Sequence, residues 1–375
     1  MNSCRRSLSK KKISASHCKD HDKLLQILLI GTLPPPIGGI SVSFHILVDL
    51  LNQRQDVKIE ILDLGELRRD RGLHIFQSIL FVRRFLFLVR KVDVVTLYAA
   101  STALPSLGLI ILFISRILDR PFVLRKAAGF DYLDLGFFLG SMANFVVKHS
   151  TLYLAQTQNL VSLALKRGVA HVKWYPTSRP MPDHTNNSFF ERRACRRFIF
   201  VGQVRKYKGV LELIDAAERF DKSICVDIYG PIFDDFNPGI FAGLETVAYR
   251  GVLSAEDVIP TMKQYDMLLL PTKANTEGYP GVVFEGYSAG LPIITTRCGG
   301  IPEIVDETCG IFVEPGNSDA LFEAMKKVIE NDIIFRKLQK GVLEMQNQFD
   351  SNFWADRFVD YCREALDAHV LKRKS

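Results

Sequence analysis

Short runs rich in β-branched and aromatic residues alternate with longer helical stretches through most of the chain, and that alternation admits few folds. Leu24 to Ile30, Val57 to Leu62, Val94 to Tyr98, Phe122 to Arg125 and Thr151 to Ala155 are largely apolar runs. Strands covered on both faces read this way, whereas a half-solvated strand alternates. A second set follows at Phe198 to Val201, Cys225 to Tyr229, Met267 to Leu270 and Pro292 to Thr295, with helical patterns at Val210 to Phe220, Ser254 to Gln264 and Pro280 to Ala289. The pattern predicts an α/β protein of two doubly wound, Rossmann-like domains facing a cleft. Residues 176–197 hold three prolines and a polar centre without a period, which predicts an interdomain linker. The expected organisation is a basic disordered tail over 1–22, a first domain over 23–175, that linker, a second domain over 198–350 and a C-terminal helix within 351–375. Phe353, Trp354, Phe358, Val359, Cys362 and Leu366 give this helix one apolar face, to be buried in its own domain or back across the first.

The 375 residues carry a net charge of +7, but residues 1–23 hold seven Lys or Arg against Asp20 and Asp22, so the remainder is only +2. Cations on a tail rather than on a folded stripe argue against a nucleic-acid-binding domain and fit a solvated leader or contact with anionic lipid. The tail lacks the apolar core of a secretory signal. Seven cysteines without C-x-x-C spacing predict neither a disulfide framework nor zinc, and a reducing, cytoplasmic compartment. Val94 to Ser115 has no formal charge over 22 residues, yet Ala99 to Thr102 and Pro105 interrupt it. That predicts strand, loop and helix rather than a membrane span. Phe76, Leu80, Arg83, Arg84, Phe87, Leu88 and Arg90 make one helix both apolar and cationic, either a core helix with a basic edge or an interfacial one.

Four loops carry the chemistry. Gly38-Gly39 follows three prolines and opens a helix, so its backbone N–H groups can approach a ligand; it is not the G-x-G-x-x-G of a dinucleotide site. After the strand Phe198 to Val201 come Gly202, Gln203 and three cations, Arg205, Lys206 and Lys208. Arg205 offers a fork and Lys208 a point charge at the end of a central strand, where α/β sheets bind ligands. Glu277 and Glu285 flank Pro280, which suits a first helical turn, and Glu285 can accept both hydroxyl protons of a ribose cis-diol. Gly299-Gly300 is either another backbone-donor loop or a tight packing turn.

Taken in order, Gly38-Gly39, Lys208-Gly209-Val210, Glu277 to Glu285, and Gly299 to Glu303 resemble the retaining glycosyltransferases of family 4, with their E-x7-E motif and GT-B architecture. The resemblance spans residues 24–370 and is strongest over 198–316. It implies a nucleoside-diphosphate sugar held by Gly202, Arg205, Lys208, Gly230, Glu277, Gly278, Gly281, Val282 and Glu285, with Arg205 and Lys208 on the diphosphate and Glu285 on the ribose. Arg205, Lys208 and Glu277 are the implied catalytic residues. Gly38, Gly39 and Asp131 fall on the acceptor side. The chain departs from the family at Gln203, where an arginine is common, and after Phe122 to Arg125, where the usual histidine is missing and Asp131 is the candidate replacement.

The implied activity is transfer of a hexose-type sugar to a carbohydrate or lipid-linked acceptor, in surface polysaccharide or glycolipid synthesis. A nucleotide-sugar epimerase or hydrolase on the same fold, or a non-catalytic nucleotide-sugar-binding partner, are the alternatives. No cofactor is expected beyond the nucleotide-sugar substrate, and no metal, because the aspartates of Asp20-His21-Asp22 lie in the tail. The expected location is cytoplasmic, peripheral on the inner face of a membrane, with no nucleic-acid partner.

Overall fold

The computed structural model describes residues 24–35, 38–65, 74–127, 131–182 and 194–374, with the backbone alone over 74–79. The basic leader with Asp20 and Asp22, the Phe76 side chain and the middle of the linker lie outside the described residues.

The first unit runs β1 (Leu25–Gly31), α1 (Gly39–Asn52), β2 (Val57–Asp63), α2 (His74–Val89), β3 (Val94–Ala100), α3 (Leu109–Ile117), β4 (Phe122–Ala127), α4 (Phe137–His149), β5 (Leu152–Ala155), α5 (Gln158–Lys166) and β6 (Val172–Trp174). Its six strands are parallel in the order β2-β1-β3-β4-β5-β6. The second unit runs β7 (Arg197–Val201), α6 (Val210–Ala217), β8 (Cys225–Tyr229), β9 (Val247–Gly251), α7 (Val258–Met262), β10 (Met267–Leu270), α8 (Gly281–Ser288), β11 (Ile293–Thr296), β12 (Gly310–Val313), α9 (Ser318–Glu330) and α10 (Asp332–Gln348). Its sheet is also parallel, in the order β12-β11-β10-β7-β8-β9. Both are doubly wound α/β sheets. The uncharged run from Val94 divides into β3, short turns and α3, and no described helix is long and apolar enough to cross a membrane.

Strand order decides where a ligand can sit. Each order reverses direction once, between β1 and β3 in the first sheet and between β7 and β10 in the second. Loops leaving neighbouring strands at such a point diverge to opposite faces and open a crevice at the carboxyl ends. The loops after β1, β7 and β10 carry Gly38-Gly39, Lys208 and Glu277.

A 24-residue helix, α11 (Ser351–Lys374), closes the chain against the first sheet rather than the second. Trp354, Phe358, Val359 and Cys362 join the core formed by Leu25, Ile27, Phe44 and Val94, on the face opposite α2, α3 and α4. Two segments therefore cross between the units, around Arg179 and around Asp350, and they pair with each other: the Arg179 N–H donates to Phe349 O at 3.2 Å and the Ser351 N–H to Arg179 O at 2.9 Å. Trp354 stands edge-on to Trp174 at 5.1 Å and to Tyr175 at 5.7 Å, packing this crossover with aromatic area. The five cysteines among the described residues are all free.

One fully buried cation on β4 yields a stability prediction. Burial pushes the Lys126 amine down to about 7. Between about pH 7 and pH 9 the unfolded chain therefore holds a proton on this amine that the folded chain has lost, and folding gains as pH rises through that window. Relative to Lys126→Met, the wild type should gain about 2 kcal/mol of unfolding free energy over those two pH units, read by urea titration at each pH. Parallel pH profiles for the two proteins would contradict it.

Candidate active site

A cavity of about 770 Å³ lies between the two sheets, at the carboxyl ends of their strands. The first unit contributes Gly38, Gly39, Ser43, Tyr98 and Ala127 to its wall; the second contributes Gly202, Gln203, Lys208, Glu277, Gly278, Gly281, Val282 and Glu285. Motifs spread over some 250 residues of sequence thus converge on one space.

Lys208 comes from the loop after β7 and Glu277 from the loop after β10, and the Lys208 ammonium donates to Glu277 Oε1. Both side chains are mostly buried, 15% and 16% exposed, so the pair is poorly screened by water. The Glu277 loop is braced from behind by the second glycine pair. The Gly300 N–H donates to Glu277 O at 2.9 Å, and a Cβ at Gly299, whose φ is +55°, would lie 2.1 Å from the same oxygen. Gly299-Gly300 is therefore a packing turn that fixes Glu277. Beyond it Glu303 accepts from the Tyr279 hydroxyl at 2.7 Å and from the Asn159 N–H at 3.0 Å, tying this loop to the start of α5 in the first unit.

Glu285 lies one turn into α8, whose N-terminus follows Pro280 and faces the cavity. Its carboxylate is held by Arg179, a residue with no counterpart among the motifs read from the sequence. Arg179 Nε and Nη2 both donate to Glu285 Oε1, at 3.0 and 2.9 Å, while Nη1 donates to Ser43 Oγ on α1 at 3.0 Å. Arg179 is 2% exposed, and Gly281 leaves it room: a Cβ there would lie 2.6 Å from Nη2. One guanidinium thus joins both units and the interdomain crossing at the wall of the cavity. Oε2 of Glu285 accepts no hydrogen bond from the described residues.

Three residues read from the sequence stand off the cavity wall. Arg205 does not line the cavity; its guanidinium lies over the Phe233 ring at 3.8 Å, a cation–π contact. Gln203, two residues earlier, lines the cavity instead, accepting from the Tyr207 hydroxyl at 3.2 Å. Gly230 is also off the cavity wall, and acts by letting its backbone pass Gly202, whose carbonyl oxygen would be 1.8 Å from an added Cβ. Asp131 is engaged elsewhere: it caps the turn Tyr132–Leu135 by accepting from the Leu133 N–H at 3.1 Å, and Arg167 Nη1 donates to its Oδ1 at 2.9 Å. Among the described residues the cations on the wall are Arg179 and Lys208. No cluster of three or more potential metal ligands occurs among the described residues.

Residues 195–331 match the family model of glycosyl transferases group 1. The chain is 27% identical over 166 residues to O-antigen chain mannosyltransferase C of Escherichia coli, covering 44% of each protein. It is 26% identical over 167 residues, 43% of each, to a Campylobacter jejuni enzyme named N,N'-diacetylbacillosaminyl-diphospho-undecaprenol alpha-1,3-N-acetylgalactosaminyltransferase. These matches span less than half the length of either relative. Across the whole fold, the crystal structure of Anabaena HepE in complex with UDP superposes with a TM-score of 0.71 at 17% identity, covering 90% of this chain and 99% of that one. The architecture is that of the GT-B glycosyltransferases.

Proposed function

We propose that this chain is a retaining, family 4 glycosyltransferase that moves a hexose-type sugar from a nucleoside-diphosphate sugar to a carbohydrate or lipid-linked acceptor. The observation that carries the reading is the convergence of Lys208, Glu277, Glu285 and the α8 N-terminus on one interdomain cavity. The similarity to an O-antigen mannosyltransferase and to an enzyme named for an undecaprenol-linked acceptor supports surface polysaccharide or glycolipid synthesis.

In this reading the diphosphate lies against Gly202, Lys208 and the N-terminus of α8, and the ribose against Glu285. The bond from the sugar anomeric carbon to the diphosphate breaks with its electron pair going to the phosphate oxygen. The acceptor hydroxyl oxygen bonds that carbon on the same face, and its proton passes to the departing phosphate. Negative charge grows on the leaving oxygen, so a fixed ammonium and a helix dipole lower the barrier by binding that charge more tightly than the ground state. Lys208 and the helix end meet this need without a metal ion. Glu277 orients the ammonium, and Gly38-Gly39 on the opposite wall borders the acceptor.

A second reading, donor binding without transfer, draws on the cavity wall itself: Arg205 is turned to Phe233 and Gln203 stands nearer the site, so one cation fewer faces the diphosphate. A thermal-shift panel of nucleotide sugars followed by incubation with labelled donor tests both. The matching nucleotide sugar should raise Tm by several degrees, since ligand at about 100 times its Kd adds about 2.7 kcal/mol. Release of labelled sugar to an acceptor then supports transfer, binding without release supports the second reading, and no shift with any nucleotide sugar overturns both.

A further inference from the structure

We infer that the outer surface of α2, α3 and α4 is a docking face for an anionic lipid bilayer. All three helices bury one side in the same core, through Phe85 on α2, Ile111 on α3 and Val146 on α4, which leaves their other sides on a shared outer layer. That layer is unusually apolar for a water-facing surface. Ile117 is 79% exposed, Phe137 94% and Phe138 72%. Phe113 on α3 and Phe145 on α4 are also exposed, and their rings stack at 6.2 Å, merging the two helices into one patch. Contiguous exposed aromatic surface of this kind marks an interaction site, because it costs free energy wherever water covers it.

The charges select the partner. Across their full lengths α2, α3 and α4 contain no Asp or Glu. Arg83, Arg90, Lys91, Arg116 and Lys148 are exposed on or beside them, and none forms an ion pair with a described carboxylate. Asp119, just beyond α3, is taken up by His369 and Arg373 of α11, whose final turn adds Lys374 to the same edge. Asp134, before α4, is the exposed carboxylate nearest the patch in sequence. Aromatic side chains that insert among a rim of uncompensated cations suit the interface of a bilayer carrying acidic headgroups.

The face also sits where a membrane-bound acceptor would need it. β4 ends at Ala127 on the cavity wall, and α4 begins ten residues later at Phe137, so the most exposed aromatics lie at the cleft end of the first sheet. Delivery of a lipid-linked acceptor rests on the proposed transfer reaction; attachment to the bilayer does not.

The test is sedimentation of the full chain with sucrose-loaded phosphatidylcholine vesicles, with and without about 30 mol% phosphatidylglycerol. The wild type should bind the anionic vesicles, and Phe137→Ser/Phe138→Ser should bind about tenfold more weakly or worse. Arg116→Glu/Lys148→Glu should lose binding likewise, and high salt should weaken the wild type. Both variants should keep the wild-type Tm and the nucleotide-sugar shift, which separates a failure of this face from a failure of the donor site. Wild-type binding by either variant would overturn the inference. So would a wild type that ignores anionic vesicles, or one whose dimer is dissolved by the phenylalanine changes, which would make the patch a contact between copies.

Discussion

Lys208→Ala is expected to lower the turnover of sugar transfer by about 10² to 10³, the usual consequence of removing one preorganised group that stabilises charge in the transition state. Lys208 is mostly buried and bonded to Glu277, so the ammonium is already fixed when charge develops on the leaving phosphate, and no reorganisation is needed at that moment. On the proposed mechanism the loss should fall on kcat, because the proposed donor contacts also include the Gly202 loop, the α8 N-terminus and Glu285. Steady-state kinetics with a labelled donor reads the split. The far-ultraviolet spectrum should be unchanged. Arg205→Ala is the contrast: its guanidinium rests on Phe233 away from the cavity, and its turnover should stay within about threefold of wild type. Equal losses for the two variants would restore Arg205 to the site and contradict the present assignment.

Arg179→Leu is expected to be the most damaging change outside the motifs. It strands the Glu285 carboxylate in a mostly buried position and removes the bond to Ser43, and breaking a buried pair from one side costs about 3 to 5 kcal/mol. Exposure of Glu285, at 17%, favours the low end of that range. Two effects should appear together, a fall in unfolding free energy and a rise in the donor KM, because Glu285 loses the partner that orients it. Adding Glu285→Gln to Arg179→Leu removes the stranded charge, so stability should partly return while donor affinity does not. Arg179→Lys cannot reproduce the Nε, Nη1 and Nη2 fork and should behave closer to the leucine variant than to wild type. Ser43→Ala, which cuts the bond to the first unit alone, should leave the donor KM within about twofold. If Arg179→Leu kept the wild-type KM, Glu285 would be oriented by something other than Arg179.

How far the sequence reaches depends on whether the physical signal is local. Inner strands of each sheet are legible: Met267–Leu270 coincides with its predicted run, since burial on both faces leaves an unbroken apolar stretch, and Cys225–Tyr229 coincides with its own although Asp227 interrupts it, buried against Arg250 and Tyr265. The strands absent from that reading, Val172–Trp174, Val247–Gly251 and Gly310–Val313, all stand at sheet edges; Lys173 and Arg250 interrupt the first two, and the third is only four residues long. α7 is shorter than the pattern at Ser254 to Gln264 predicts, with regular α-helix confined to Val258–Met262.

The same distinction runs through the site. Lys208, Glu277 and Glu285 are legible as candidates because each stands in a short motif at a strand end, and the cleft brings them together. That Arg205 stands off the cavity wall was not legible, because side-chain direction in a non-repeating loop has no period to betray it. The engagement of Asp131 was not legible because its partner, Arg167, is 36 residues away. Arg179 was missed altogether, since its bond to Glu285 joins positions 106 residues apart and its neighbours Pro176, Pro180 and Pro182 read as a linker. Only the fold shows that this stretch is the crossing point of two chain segments.

The most direct measurement is a crystal structure of the full chain with a nucleoside diphosphate bound. The diphosphate should lie between Lys208 and the N-terminus of α8, with the ribose hydroxyls on Glu285 and Arg205 still over Phe233. A nucleotide bound outside the interdomain cavity, or inside it with its phosphates away from Lys208, would contradict the assignment of this cleft as the donor site.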